Sequence, residues 1–196
     1  MDYEKLISAA NLLTAWSEFY KGKSGRLDVA EFEMRLEDNL FVLRDDLAAG
    51  AYRHGPYRTF HIYDPKHRVI SKASVRDRVV HHLVFKELYR IFDPWFIFHS
   101  YSSREDKGTH LAVENLFNTL RAVSKNYTRP CFVLKCDIRK FFDSVPHGKL
   151  MSIIQNKIND SRFLRLAGEV LNSFSVAAPN CCGGGPVMSL STPLGG

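Results

Sequence analysis

FVLKCDIRKFFDSVPH, residues 132–147, is the stretch on which the fold turns. From Cys131 to Ile138 the chain is apolar nearly throughout, the pattern of a short strand covered on both faces, yet an acid, Asp137, closes it. A carboxylate beside a core is costly unless a cation or hydrogen-bond donors compensate. Two compensations are available: the adjacent bases Arg139 and Lys140, or a divalent metal. A hard ion such as Mg²⁺ takes oxygen ligands, commonly one or two carboxylates plus substrate phosphates, and a two-ion pair serves phosphoryl transfer. Taken alone, the acid fits a structural ion pair or a helix cap as well as a metal site. Asp143 lies beyond a turn and reads as a turn or cap acid before a helix starting near His147.

At 196 residues the chain suits one ordinary domain or two small ones sharing a core, since single cores stop growing only at about 250–300 residues. Composition is that of a globular protein, and no apolar run approaches the roughly 20 residues that cross a bilayer. The N-terminus, MDYEKLISAANLL, lacks a secretory signal pattern, so a cytoplasmic location and no membrane partner are expected. Cys131, Cys136, Cys181 and Cys182 lack paired zinc-site spacing and read as reduced thiols.

The net charge of +6 is localised. Between Tyr52 and Arg90 nine bases (Arg53, Arg58, Lys66, Arg68, Lys72, Arg76, Arg78, Lys86, Arg90) face three acids (Asp64, Asp77, Glu87), which accounts for the whole surplus. Such a segment suits a polyanion such as RNA, through counterion release, or equally a solvated surface.

Leu6, Ala9, Leu13, Trp16 and Tyr20 predict a helix over about 3–20. Asp28 and Glu31, spaced as a capping box, open a second whose face runs from Val29 to Leu47 and stops at Gly50. Alternation from Tyr57 to Ala73 around Asp64-Pro65-Lys66-His67 predicts a β-hairpin with a basic tip. Val75–Phe92 reads as helix, ended by Pro94. After a polar loop over 100–110, Thr109 is placed to cap a helix whose buried face is Val113, Leu116, Leu120 and Val123. Helices over about 147–157 and 161–175 follow, then a loop from Ala177 with no core pattern.

The order acid, aliphatic, two variable residues, two aromatics, then D-S-V-P-H resembles motif A of reverse transcriptases. Two upstream blocks also resemble that family, in its order and spacing. RVISKASVRDRVVHHLVFKEL carries Arg68, Ile70, Arg76, Asp77, Arg78, Val79, Val80 and His81 on pattern; FIFHSYSSREDKGTHLAV carries Ser100, Tyr101, Arg104, Lys107, Gly108, Thr109 and His110. The resemblance spans roughly residues 27–196 and is nearest the bacterial branch of diversity-generating retroelements, group II introns and retrons. It implies an α+β right-hand polymerase: a helical N-terminal extension (1–50), fingers with a β-hairpin (51–130), and the start of a palm with its first strand (131–196), truncated before the rest.

The resemblance further implies RNA-templated DNA synthesis from dNTPs with two Mg²⁺ ions, on an RNA template with a DNA or RNA primer, and is compatible with an accessory protein as a partner. Asp137 and the backbone carbonyl of Ile138 would hold metal. The amides of Lys140 and Phe141 would face the incoming triphosphate, and Phe142 would exclude a ribose 2′-hydroxyl, Phe141 being the core aromatic of the two. Arg68 would grip the triphosphate, a planar fork suiting phosphate, with Lys66 beside it on the hairpin tip. Arg104 and Lys107 would touch the template; Arg76 and Arg78 would do so too, unless one pairs with Asp77.

The chain departs from the family where further carboxylates are needed. It has no Tyr/Phe-x-Asp-Asp segment, and its one Asp-Asp pair, Asp45-Asp46, falls on a helix read as surface. The expectation is the front part of a longer enzyme, giving no primer extension by itself on an RNA template with Mg²⁺ and dNTPs. The alternative is a noncatalytic nucleic-acid-binding protein derived from such an enzyme.

Overall fold

The computed structural model describes residues 2–139 and 141–174. Lys140 and the loop from Ala177, with Cys181 and Cys182, lie outside the described residues.

The expected first helix is two helices, α1 (Tyr3–Leu6) and α2 (Ala9–Tyr20). Ser8 divides them: its hydroxyl donates to the Lys5 carbonyl at 2.9 Å and accepts the Asn11 amide at 3.3 Å, capping α2. The second helix also divides, into α3 (Leu27–Glu33) and α4 (Leu36–Ala48). At that break the Asn39 side chain donates to the Phe32 carbonyl at 2.9 Å, satisfying an end that the continuing helix would have satisfied. Asp28 is not a cap. Arg26 occupies the N-cap with no side-chain bond, and Asp28 sits inside the first turn with its carboxylate turned to bases elsewhere.

The hairpin forms as expected, β1 (Arg58–Tyr63) antiparallel to β2 (His67–Lys72), with Phe60 opposite Ile70 and Ile62 opposite Arg68. Helix α5 (Val75–Phe92) is capped by the Ser74 hydroxyl on the Asp77 amide and runs into a 3₁₀ turn, Asp93–Trp95. Then come α6 (Gly108–Val123), α7 (Phe141–Ser144), α8 (His147–Gln155) and α9 (Ser161–Ser173). Among the described residues the sheet has two strands, β1 and β2.

Helix α2 packs on α4 and α5, α3 joins them, and α8 pairs with α9. Leu12, Trp16, Phe19, Val29, Leu43, Leu47, Val79, Val80 and Leu83 share one apolar cluster with Ile154, Phe163, Leu166 and Ala167. In α9 the spacing Phe163, Leu166, Ala167 puts three buried residues on one face, and Asp160 caps it by accepting the Arg162 and Phe163 amides at 3.0 and 3.1 Å.

Two expectations fail for one physical reason. Residues 131–138 form no strand, and Phe132 and Leu134 are 96% and 87% exposed. An extended segment needs a neighbour for its N–H and C=O groups, and no strand lies beside it among the described residues. Helix α6 likewise has no buried residue, with Val113, Leu116 and Val123 exposed. Thr109 lies in its first turn and Lys107 holds the N-cap without a side-chain bond. Apolar faces written for burial here lack a partner to bury against.

Gly50 ends α4 at φ +65°, and the Arg165 guanidinium occupies the space where a Cβ would stand, 1.9 Å from its Nη2. Gly50→Ala is expected to cost about 1–2 kcal/mol, mostly from left-handed backbone, since the Arg165 tip can swing away. Urea unfolding checks this, and an unchanged midpoint would refute it.

Candidate nucleic-acid and nucleotide interface

The charge surplus resolves into two classes of base. Lys72 reaches Asp28 at 2.8 Å, and Arg78 binds the same carboxylate oxygen. Arg76 reaches Asp46 at 2.6 Å and lies 3.8 Å from Asp77. Lys86 pairs with Glu18 at 2.9 Å, beside His82, and Arg90 with Glu87 at 2.5 Å. These five bases are matched by acids, largely from α2, α3 and α4. Arg58, Lys66 and Arg68, all exposed on the hairpin, have no ion-pair partner among the described residues, and neither does Arg53 ahead of it, which donates to the Tyr52 carbonyl at 2.8 Å.

Through these pairs Arg76 and Arg78 form a brace at the base of the hairpin. Arg76 also lies over the Tyr52 ring at 4.8 Å and Arg78 over Phe19 at 5.2 Å. Partial burial pushes the Asp28 carboxyl up, but the Lys72 hydrogen bond and the Arg78 and Lys72 charges outweigh it and hold the group below its ordinary value. At the centre is Asp77, 1% exposed. It accepts from the Tyr52 hydroxyl at 2.8 Å, the Ser74 hydroxyl at 2.6 Å and the Gly55 amide at 3.2 Å. Burial, then Asp77, drives the Tyr52 phenol strongly upward, so it stays a donor.

The segment between α4 and β1 is strapped to α9. The His54 amide donates to the Glu169 carboxylate at 3.0 Å, and the Tyr57 and Ser173 hydroxyls meet at 3.0 Å. His54 and His81 touch through their Nε2 atoms at 2.9 Å, so one ring donates and the other accepts. Burial first, then the His54 charge and more weakly Arg78, lowers the His81 pKa, against the opposing pull of Asp77. The folded state thus takes a proton at His81 less readily than the unfolded chain. The resulting stability is present above the ordinary imidazole value of 6.5 and is lost as pH falls below it toward the lowered folded-state value. Thermal unfolding followed from pH 7.5 to 5 is expected to show Tm dropping on the acid side. His81→Asn should flatten that drop; an equally steep variant would refute the assignment.

Arg104 is committed within its own loop, Nε to the Asp93 carboxylate at 2.6 Å and its other nitrogens to the Ser100 and Asp93 carbonyls at 3.1 Å. That bond holds the Asp93 carboxyl below its ordinary value. Lys107 donates to the Phe98 carbonyl at 3.2 Å and lies over the Phe98 ring at 4.3 Å. Both shape the 96–107 loop.

Asp137 and Ile138 are exposed on the segment before α7. Phe142 is 85% exposed, and Phe141 stands edge-on to it at 5.4 Å, itself half exposed. Lys140, expected beside them, lies outside the described residues. Among the described residues no cluster of three or more acids, histidines or cysteines could hold a metal ion. Nor does a hydrogen bond or ion pair join Asp137 to Arg68, Arg104 or Lys107. Sequence reasoning missed the partners in the brace, Asp28 and Asp46, and the strap through His54 and Glu169. The only signal for the brace was Asp77 set between two arginines.

No helix among the described residues is long and apolar enough to cross a membrane. Comparison with protein-family models gives no match. Among curated proteins the chain is similar to protein YkfC of Escherichia coli, 29% identical over 145 residues, which is 72% of this chain and 37% of that one. It is also similar to an uncharacterised 91 kDa protein in the cob intron of Schizosaccharomyces pombe, 29% over 106 residues, 54% of this chain and 12% of that protein. A putative COX1/OXI3 intron 2 protein of Saccharomyces cerevisiae is 24% identical over 178 residues, 86% of this chain and 20% of its own length. The chain spans little more than a third of the longest-covered of these relatives, and its similarity reaches proteins encoded within introns.

Proposed function

We propose that the chain is the fingers and the beginning of the palm of a reverse transcriptase, an α+β right-hand polymerase that copies RNA into DNA from dNTPs. The observation that carries this reading is the hairpin. Of nine bases in the charged segment, four lack an acid partner among the described residues. Three of them, Arg58, Lys66 and Arg68, sit together on β1, β2 and their turn, with the Asp28, Asp46 and Asp77 brace at the base. The fourth, Arg53, lies before the hairpin and donates to the Tyr52 carbonyl at 2.8 Å. Similarity to intron-encoded proteins supports the retroelement setting.

In this reading Arg68 and Lys66 take the incoming triphosphate, the amides of Lys140 and Phe141 assist, and Phe142, its ring open to solvent, disfavours a ribose 2′-hydroxyl. Arg76, Arg78, Arg104 and Lys107 act by positioning, through the contacts that fix the hairpin and the 96–107 loop. Asp137 is exposed and free of a described ion pair, which suits an oxygen ligand of Mg²⁺. One carboxylate and the Ile138 carbonyl make a partial set, as is usual for an ion that keeps waters and shares substrate phosphates. When bound, Mg²⁺ would neutralise triphosphate charge and polarise the attacking hydroxyl. The exposed apolar faces at 113–123 and 132–134 would be covered by the rest of a longer polymerase, since patches of this kind mark interfaces. The template is RNA, the primer DNA or RNA, and an accessory protein is compatible with the exposed surface.

Fluorescence anisotropy with single-stranded RNA tests the interface. Three phosphate contacts predict a slope of log K against log salt near −2, roughly a 20-fold loss of affinity from 50 to 200 mM. Arg68→Ala is expected to reduce the slope by about 0.7 while leaving the unfolding midpoint unchanged. Binding that ignores salt would overturn the reading.

A further inference from the structure

Strand periodicity gives the hairpin two chemically different faces. Arg58, Phe60 and Ile62, with Lys72, Ile70 and Arg68 opposite, lie on one. On the other are Thr59, His61 and Tyr63, opposite Ser71, Val69 and His67. The triphosphate residues proposed above use the first face and the tip, and the second has no assigned role.

That second face is flat and aromatic. His61 Nδ1 and His67 Nε2 are 2.7 Å apart, with ring planes 6° from parallel and centroids 5.0 Å apart. A contact this short between rings so far apart at their centres means that they meet edge to edge, as one extended plate. The Tyr63 ring leans on His67 at 4.8 Å and 27°, and is 76% exposed. The two imidazoles satisfy each other and lack a third ligand among the described residues, so a metal clamp is not favoured. Lys66 sits at the adjoining turn, and Asp64 is the only acid over residues 58–72 against Arg58, Lys66, Arg68 and Lys72. Lys72 is paired with Asp28, but Arg58, Lys66 and Arg68 have no acid partner among the described residues. Flat rings beside such cations fit a ligand that is planar and anionic together, which is the chemistry of an unpaired nucleotide.

We infer that the Thr59, His61, Tyr63, His67 face is a stacking platform for unpaired bases of single-stranded RNA. The inference rests on the nucleic-acid reading above and adds a base contact to its phosphate contacts. The probes are oligoadenylate and an abasic ribose-phosphate chain of equal length, titrated against the 196-residue chain. Oligoadenylate is expected to bind at least about fivefold more tightly than the abasic chain. Tyr63→Leu should erase that preference without changing abasic affinity or its salt slope. Tyr63→Trp should preserve it, with indole fluorescence quenched by oligoadenylate alone. Equal binding of the two probes by the parent protein, or a preference that survives Tyr63→Leu combined with His61→Ala, overturns the platform and leaves the phosphate reading standing. Failure to bind either probe overturns both. Far-UV circular dichroism and Tm of each variant establish that it is folded.

Discussion

Asp77→Ala is expected to destabilise the protein by about 3–5 kcal/mol, the range for stripping one partner from a buried charged network. The carboxylate is buried and receives three donors, the hydroxyls of Tyr52 and Ser74 and the amide of Gly55. Truncation strips the acceptor from all three, the Tyr52 hydroxyl deepest in the core and the Ser74 hydroxyl and Gly55 amide nearer the surface, so the largest desolvation cost falls on Tyr52. Arg76 loses a neighbour at 3.8 Å but keeps Asp46 at 2.6 Å, so the loss comes mainly from the hydroxyls and the amide. Tyr52→Phe provides the scale, since it removes one bond and is expected to cost about 1 kcal/mol. Both are read from urea unfolding. Against a total of about 5–15 kcal/mol, the alanine variant should be largely unfolded at midpoints the phenylalanine variant tolerates. A cost below that of Tyr52→Phe would mean that Asp77 is not the hub of the brace.

Local chemistry was legible and non-local chemistry was not. The hairpin and α5 were readable because their signals are self-contained: alternation around a Pro-bearing turn, then helical spacing of apolar residues and a terminating proline. The breaks at Ser8 and Arg35 depend on side chains that replace a few backbone bonds, beneath the resolution of periodicity. The run at 131–138 has the composition of a buried strand, but composition states only that a segment could be covered; the covering strand must come from elsewhere. The apolar stripe of α6 misleads in the same way.

At the candidate site the sequence showed the bases and concealed their acids. Arg78 and Asp28 stand 50 residues apart, Arg76 and Asp46 30. Counting charge along the chain could not show that five of nine bases were already matched. Of the four that remained after matching, Arg53 is turned to the Tyr52 carbonyl, and Arg58, Lys66 and Arg68 form a smaller and better-defined surface than the segment as a whole. The residues proposed for phosphate and those proposed for posture are thus separable by experiment: one class should move salt slopes, the other unfolding midpoints.

Phe163→Ala is expected to cost about 3–5 kcal/mol and to test whether the hairpin's posture depends on a helix nearly a hundred residues away. Phe163 is the largest fully buried side chain among the described residues and belongs to the same apolar cluster as Tyr3, Leu6, Leu47 and Ile154. Removing its ring leaves a void between α9 and the N-terminal helices that close packing cannot refill. Helix α9 also carries Glu169 and Ser173, which hold His54 and Tyr57, and that strap leads into Gly55, a donor to Asp77. Loosening α9 should therefore reach the brace. Because the two sites share the strap, the double variant with Tyr52→Phe is expected to lose less stability than the sum of the singles. Urea unfolding of the four proteins gives the coupling; strict additivity would show that α9 and the brace stand independently and that the strap transmits nothing.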